Sequence, residues 1–244
     1  MKKTTIFKKG ISLDNFEIDY SFENIRSKDD AIIASSLGYE LDKNPDAKYL
    51  EKFNNDFSKI NPEHKARYVA VWDFETTDKF NAFGVSLAIM LYDIQEEEVI
   101  EQFYELMNPL ETISKGAYNV HKISQEQVAN EKTFIEHLPE IEAIFEKADF
   151  FVGHNLQFDL NVLEREYQRA EKINKFSSIP VFDTMKAAKD ILQLKDKNGK
   201  KLKPPTLIEC VDYYGLNTEQ GFHNALIDVQ ETLNIFRELL DEEF

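Results

Sequence analysis

The stretch Val71-Trp72-Asp73-Phe74-Glu75-Thr76-Thr77 constrains this chain more than any other. An apolar run with the character of a buried strand ends there on two carboxylates. Side chains on a strand alternate faces, so Asp73 and Glu75 share one side while Trp72 and Phe74 share the other. Two carboxylates on one face repel each other, and the arrangement is costly unless a proton or a cation sits between them. Oxygen donors without sulfur favour a hard divalent ion such as Mg2+ or Mn2+. A half-buried strand end with solvated acids would have the same sequence, so the stretch gains meaning only if further acids and a base return to it.

From Tyr68 the pattern predicts three strands, at residues 68–74, 83–92 and 99–106, with connections short enough for antiparallel neighbours. The period then changes. Ser124-x-x-Gln127 and Thr133-x-x-Glu136 have the spacing of helix capping boxes, and Phe134, Leu138, Ile141 and Phe145 recur at helical intervals. Residues 150–152 read as a short buried strand, 156–173 as a helix, 180–182 as a strand, and 184–192, 206–214 and 224–240 as helices. Strands interleaved with helices after an antiparallel start predict an α/β fold, a mixed sheet with helices on both faces.

Residues 1–66 differ in character. Helical patterns at 29–37 and 46–60 are separated by Gly38 and Asn44-Pro45 and closed by Asn61-Pro62. This predicts a mainly helical extension ahead of a main domain spanning 67–244. No motif in the extension carries chemistry. Its aromatics Phe16, Tyr20, Phe22, Tyr39, Tyr49, Phe53 and Phe57 read as packing residues, which suits a segment that packs against the main domain or a protein partner.

Charge limits the function classes. A net charge of −16 argues against a general polyanion-binding surface, because nonspecific nucleic-acid affinity comes largely from Lys and Arg. Residues 1–66 carry 11 basic and 12 acidic side chains, against 18 and 33 in residues 67–244. If that second part acts on phosphates, bound metal ions and a few local cations must attract them. Lys195, Lys197, Lys200, Lys201 and Lys203, spread around the turn signal Asn198-Gly199, form a candidate phosphate-contacting arm, with a solvated loop as the plainer reading. The single cysteine, Cys210, allows no intrachain disulfide and reads as a small buried hydrophobe. The N-terminal lysines enclose no signal-peptide core, and no apolar run is long enough to span a membrane, so a cytoplasmic protein without a membrane partner is expected.

Two later stretches return acids. In residues 151–160 a strand ends at Gly153, a polar turn follows, and Asp159 falls at the front of a helix, where the helix dipole also favours an acid. In Gly221-Phe222-His223-Asn224-Ala225-Leu226-Ile227-Asp228, Asn224 can cap a helix, which leaves His223 on the preceding loop and Asp228 one turn inside.

Together, Asp73-x-Glu75-Thr76-Thr77, His154-Asn155-x-x-Phe158-Asp159 and His223-x-Ala225-x-x-Asp228 resemble the DEDDh family of 3′→5′ exonucleases, in the family's order, over residues 68–240. Val120-His121-x-Ile123 is similar to a segment of many bacterial proofreading-type members. The resemblance implies a ribonuclease H-like fold: a mixed five-stranded sheet, three strands antiparallel and then two parallel, flanked by helices, with Asp73 on the central strand. It also implies two divalent metal ions, Mg2+ or Mn2+, with Asp73 bridging both, Glu75 and Asp228 on the nucleophile-side ion and Asp159 supporting the other. His223 would be the general base, a role suited by an unperturbed pKa of ~6.5. Thr76, Thr77 and His121 are candidates for contacting the terminal nucleotide, as are Asn155 and Phe158, although His154 and Asn155 read more readily as fixing the turn that aims Asp159.

The function so implied is a metal-dependent 3′→5′ exonuclease, a phosphodiester hydrolase releasing nucleoside 5′-monophosphates from a nucleic acid with a free single-stranded 3′ end, DNA ahead of RNA. The alternatives are a 3′→5′ exoribonuclease and a non-catalytic nucleic-acid-binding scaffold of the same fold. The presence of all four acids and the histidine weighs against the scaffold. A proofreading subunit and a free-standing exonuclease both stay open.

Overall fold

The computed structural model describes residues 66–216 and 224–241, together with the backbone of three short strands ahead of them. Those strands, β1 (Thr5–Lys8), β2 (Asp19–Tyr20) and β3 (Tyr39–Asp42), form an antiparallel sheet in the order β2-β1-β3. The sequence pattern does not announce them, since β1 offers only Ile6 and Phe7 between lysines. The helices expected at 29–37 and 46–60, and the packing role of the aromatic side chains in residues 1–65, fall outside the described residues.

The main sheet has five strands: β4 (Tyr68–Thr76), β5 (Gly84–Asp93), β6 (Glu98–Leu106), β7 (Phe150–Gly153) and β8 (Val181–Asp183). Their order is β6-β5-β4-β7-β8, with β6, β5 and β4 antiparallel and β7 and β8 added parallel. This is the predicted ribonuclease H-like arrangement. Among the described residues seven helices accompany it: α1 (Lys115–His121), α2 (Gln125–Val128), α3 (Phe134–Phe145), α4 (Gln157–Arg169), α5 (Thr184–Leu192), α6 (Leu207–Tyr214) and α7 (Ala225–Asp241). No helix among the described residues is long and apolar enough to cross a membrane.

Among the described residues, strand alternation divides the interior into two main cores, with a small third cluster at Val85, Ile123 and Val128. Ala70, Trp72 and Phe74 of β4 enter one with Phe134, Leu138, Ile141 and Phe145 of α3 and Val162, Leu163 and Tyr167 of α4. Val69 and Val71 enter the other with Ala187 and Ala188 of α5, Cys210 and Val211 of α6, and Val229, Leu233 and Phe236 of α7. Trp72 is the pivot of the first core, with ring centroids 5.8 Å from Phe74, 5.4 Å from Phe145 and 5.5 Å from Phe151. The Phe74 and Phe151 pairs are edge-on and the Phe145 pair tilted, and aromatic pairs of this kind add ~0.5–1.5 kcal/mol beyond their buried area. Cys210 is buried as expected, and burial pushes its thiol up to about 12.

One boundary and one helix depart from the sequence reading. Helix α4 ends at Arg169 rather than near 173, because Glu171 turns left-handed at φ 54°, and Ile173, which prolonged the apolar pattern, is 91% exposed. Helix α1 has no apolar period, since His121 is its one buried residue; Ser114 caps its start and left-handed Lys122 (φ 62°) closes it.

The pairing of β4 with β5 shifts register beside the two carboxylates: Glu75 faces Ser86 and Thr76 faces Gly84, which leaves Val85 over as a bulge. Bulges sharpen local twist and re-aim side chains. Gly84 is required for close approach. A Cβ there would lie 2.9 Å from Phe74 Cε1 and 3.0 Å from Met107 Cε. Its N–H donates to the buried Glu166 Oε1 at 2.9 Å, and Arg169 pairs with the other oxygen of that carboxylate. Gly84→Ala should overpack Phe74 and cost ~1–3 kcal/mol in urea unfolding. Phe74→Leu in the same background should return part of the loss, and a single-mutant cost under ~0.5 kcal/mol would show that the Phe74 ring yields freely.

Candidate active site

Strand β7 pairs with β4 only as far as Val71↔Val152, so β4 runs on past its parallel neighbour. The backbone exposed there is met from α4: Phe74 N–H donates to Asp159 Oδ1 at 3.1 Å. Asp159 thus stands in the first turn of α4, as the sequence implied, with its carboxylate against the β4 segment that carries Asp73 and Glu75.

The turn from β7 into α4 is built tightly. A Cβ at Gly153 would fall 2.6 Å from Leu156 Cδ1. Asn155 is left-handed at φ 65°, and its N–H donates to Asp183 Oδ1 at 3.0 Å. The same oxygen accepts from Met185 N at 3.1 Å, so Asp183 caps α5 and ties it to the turn. His154 adds a second tie. Its Nε2–H donates to Pro205 O at 3.2 Å, while Nδ1 lies 3.0 Å from the Thr184 hydroxyl. Burial pushes the His154 pKa down to about 4, so the ring is neutral.

Asp228 arrives from the opposite layer. Asn224 caps α7 by accepting from Leu226 N at 3.0 Å, and its carbonyl takes Asp228 N–H at 2.9 Å. Ala225, Val229 and Leu233 then dock α7 in the core beneath Val69 and Val71, the face of β4 that also carries Asp73 and Glu75. As a result Asp73, Glu75 and Asp228 each offer an oxygen within 4.8 Å of the others. Asp159 lies outside this triple, yet its charge reaches both β4 acids.

The electrostatic consequence is strong. Glu75 is 8% exposed and Asp159 3%, whereas Asp73 and Asp228 keep part of their surface open. Burial, then Asp228 and Asp159, push Glu75 up to about 8. Burial pushes Asp159 up to about 8 as well, with Asp183 adding to it and the Phe74 N–H opposing. Asp73 is raised well above the carboxylate range by burial and then by Asp159, Glu75 and Asp228. An all-oxygen donor set whose members resist ionising together fits a hard divalent cation, which would favour the charged forms.

The remaining candidates fall into place unevenly. Thr76 Oγ1 donates to Asp78 O at 2.9 Å and Thr77 Oγ1 accepts from Phe83 N at 3.1 Å, so both hydroxyls shape the loop after β4. His121 accepts from Ile123 N at Nδ1 (2.9 Å) and donates from Nε2 to Thr76 O (3.2 Å). Its Nε2 bond therefore holds α1 to the end of β4 while its Nδ1 bond fixes the chain just after α1, and burial lowers its pKa. Asn155 is exposed on its turn, and Phe158 is half-buried against the Trp72 core. His223 lies outside the described residues. Asp183 is the residue that sequence reasoning missed. Its signal was available, an aspartate directly between a strand and a helix, which is the N-cap position.

A family model described as Exonuclease, of the RNase T type, matches residues 70–236, and the chain belongs to that family. Its class is therefore nuclease. Over 166 residues it is 27% identical to the PolC-type DNA polymerase III of Thermotoga petrophila, a match covering 68% of this chain and 11% of the polymerase. The chain thus spans about a tenth of the length of the curated relatives it matches. Among solved structures, the nuclease domain of 3′hExo, a DEDDh family member bound to rAMP, shares the fold with a TM-score of 0.60 at 15% identity, covering 72% of this chain and 92% of that one. Exonuclease I of E. coli in complex with a dA16 oligonucleotide aligns with a TM-score of 0.59 at 17% identity, over 71% of this chain and 40% of that one.

The raised acids fix the sign of a pH effect. Glu75 and Asp159 hold protons up to about pH 8 in the fold but only to ~4 in an unfolded chain. Between those values the folded state binds more protons, so metal-free stability falls as pH rises. A divalent ion would oppose this by favouring the ionised site. The thermal midpoint in chelator should therefore drop from about pH 5.5 to about pH 8, and Mg2+ or Mn2+ should raise it most at the upper end. Asp228→Asn should flatten both responses, and a midpoint that rose with pH in chelator would contradict the reading.

Proposed function

We propose that this chain is a DEDDh-type, metal-dependent 3′→5′ exonuclease that releases nucleoside 5′-monophosphates from single-stranded 3′ ends, DNA ahead of RNA. The observation that supports it most is the meeting of Asp73, Glu75 and Asp228, with Asp159 alongside, at the end of the central strand of an exonuclease-family fold. Asp73, Glu75 and Asp228 would hold one Mg2+ or Mn2+, and Asp73 with Asp159 a second. Bound there, divalent ions supply Lewis-acid activation of water and offset charge developing on the phosphate and the leaving 3′ oxygen.

The chain's own residues do the rest. Trp72 and Phe74, locked in the aromatic core, fix the strand so that its acids cannot retreat. Asp183 and His154 fix the turn that aims Asp159. His223, one residue before the Asn224 cap, would take the proton from the attacking water, and a neutral imidazole suits that transfer near pH 7. Thr76, Thr77 and His121 would line the floor on which the terminal nucleotide rests, with Asn155 and Phe158 at its border. The relative named as a DNA polymerase supports DNA. The neighbour bound to rAMP keeps an exoribonuclease as the second reading. Absence of a second cysteine fits action in the cytoplasm, and residues 1–66 would serve a protein partner.

The test is degradation of linear and circular single strands of one sequence, as DNA and as RNA, with products identified by mass. Linear DNA should yield 5′-monophosphates from its 3′ end and the circle should persist. Cleavage of the circle would mean an endonuclease. Asp73→Ala should abolish turnover at any Mg2+ concentration. His223→Ala should lower kcat by ~10²–10⁴-fold while leaving metal-induced thermal stabilisation in place; if stabilisation disappears along with activity, His223 is a ligand rather than the base.

A further inference from the structure

We propose that the hairpin at residues 195–203 is a phosphate-backbone clamp for the strand upstream of the scissile bond. The inference rests on the exonuclease reading for the identity of its ligand. Lys195 and Leu202 pair as an antiparallel bridge, Asp196 N–H donates to Lys201 O at 2.8 Å, and Lys203 N–H donates to Leu194 O at 2.9 Å. The tip is organised from within. Asp196 Oδ1 accepts from Lys200 N at 2.9 Å and Asn198 N at 3.2 Å, and Gly199 takes the left-handed conformation (φ 67°) that closes the turn. These backbone bonds, led by that from Lys200, lower the pKa of the one carboxylate of the segment. Asp196 is thereby turned inward onto the backbone, while the lysines are left outward.

The charges are conspicuous against their surroundings. Five lysines accompany one aspartate in nine residues of a domain that has 33 acidic and 18 basic side chains. Lys203 pairs with Glu209, but among the described residues no carboxylate reaches Lys195, Lys197, Lys200 or Lys201, and all four are exposed. An unpaired cationic cluster fits a polyanion, and the site beside it would process one.

Placement supplies the second argument. The segment returns to the acids at its base, where Pro205 O accepts from His154 Nε2, in the turn that leads to Asp159. An extended chain advances at most ~3.6 Å per residue, so Lys201 and Lys200, both unpaired among the described residues, lie within ~14 and ~18 Å of Pro205. At ~3.4 Å per nucleotide along a stacked strand, that reach extends to phosphates a few nucleotides upstream of the 3′ end. A solvated loop would need neither the internal Asp196 scaffold nor the tie to His154.

The test compares a 20-nucleotide single strand with a dinucleotide under identical conditions, for wild type, for Lys197→Glu/Lys200→Glu/Lys201→Glu, and for a charge-matched control, Lys147→Glu/Lys172→Glu/Lys175→Glu, placed before β7 and after α4. Each phosphate contact contributes ~0.7 to the slope of log affinity against log salt for single strands, so three lost contacts should reduce that slope by ~2. The hairpin variant should show this reduction and a KM ratio of 20-mer to dinucleotide at least ~10-fold above wild type. The control should match wild type in both. Unfolding midpoints exclude a folding defect. If the hairpin variant keeps the wild-type ratio and slope, or if the control shows the same changes, the clamp is overturned while the exonuclease reading stands. If wild type itself neither binds nor shortens the 20-mer, the reading beneath the clamp fails first.

Discussion

The whole arrangement depends on a repulsion. Asp73, Glu75 and Asp228 present oxygens within 4.8 Å of one another in a place poor in water, and Asp159 adds a fourth charge nearby. An isolated fold would not be expected to gather acids this way, because burying charge of one sign costs free energy that packing must offset. Packing does so from the other side of the same strand. Trp72 and Phe74 alternate with Asp73 and Glu75, and the aromatic cluster around Trp72 anchors the backbone that carries the acids. Strand alternation is thus what lets one segment feed an aromatic core on one face and carry two site carboxylates on the other.

Precision at the site comes from irregularities. Were β7 as long as β4, its ladder would occupy the Phe74 N–H that Asp159 now accepts. Were the β4–β5 register unbroken, Gly84 would not meet Thr76, and the loop from Thr77 to Phe83 would leave the strand differently. Asp183 extends the same logic one strand further, since one oxygen satisfies both the left-handed turn at Asn155 and the start of α5. Strand ends, bulges and caps therefore decide where carboxylates sit, while the regular elements only bring them into range.

How much of this the sequence discloses follows from what each residue must do. The five strands and α3, α5, α6 and α7 are legible because each buries an apolar stripe, and stripes leave a period. Helix α1 is illegible on those grounds: it buries only His121, and what holds it is a serine cap and a histidine bonded at both nitrogens. Ile173 misleads in the opposite sense, as an apolar residue in phase with α4 that the left-handed Glu171 turns out to solvent. The four acids were legible as a set of motifs, and the family resemblance already set Asp73, Glu75 and Asp228 apart from Asp159; the residue pattern by itself does not give that division, because it depends on helices docking on opposite faces of the sheet. The threonine hydroxyls and His121, which the resemblance offered as nucleotide contacts, are engaged with backbone.

That division has an energetic consequence. Asp159 is carried by α4, whose apolar residues belong to the Trp72 core, whereas Asp228 is carried by α7, which belongs to the Val69 and Val71 core. Neither core alone assembles the site, and an unfolded chain offers the acids only as scattered carboxylates. An ion that prefers the assembled set must then bind the folded state far more tightly than the unfolded one, so its binding free energy adds to stability. The repulsion among the gathered acids would become, were a divalent ion bound, a link between the two layers. Loosening either core should consequently weaken ion affinity even where the substitution lies far from any carboxylate, since the distance at stake is the one between Asp228 and Asp159.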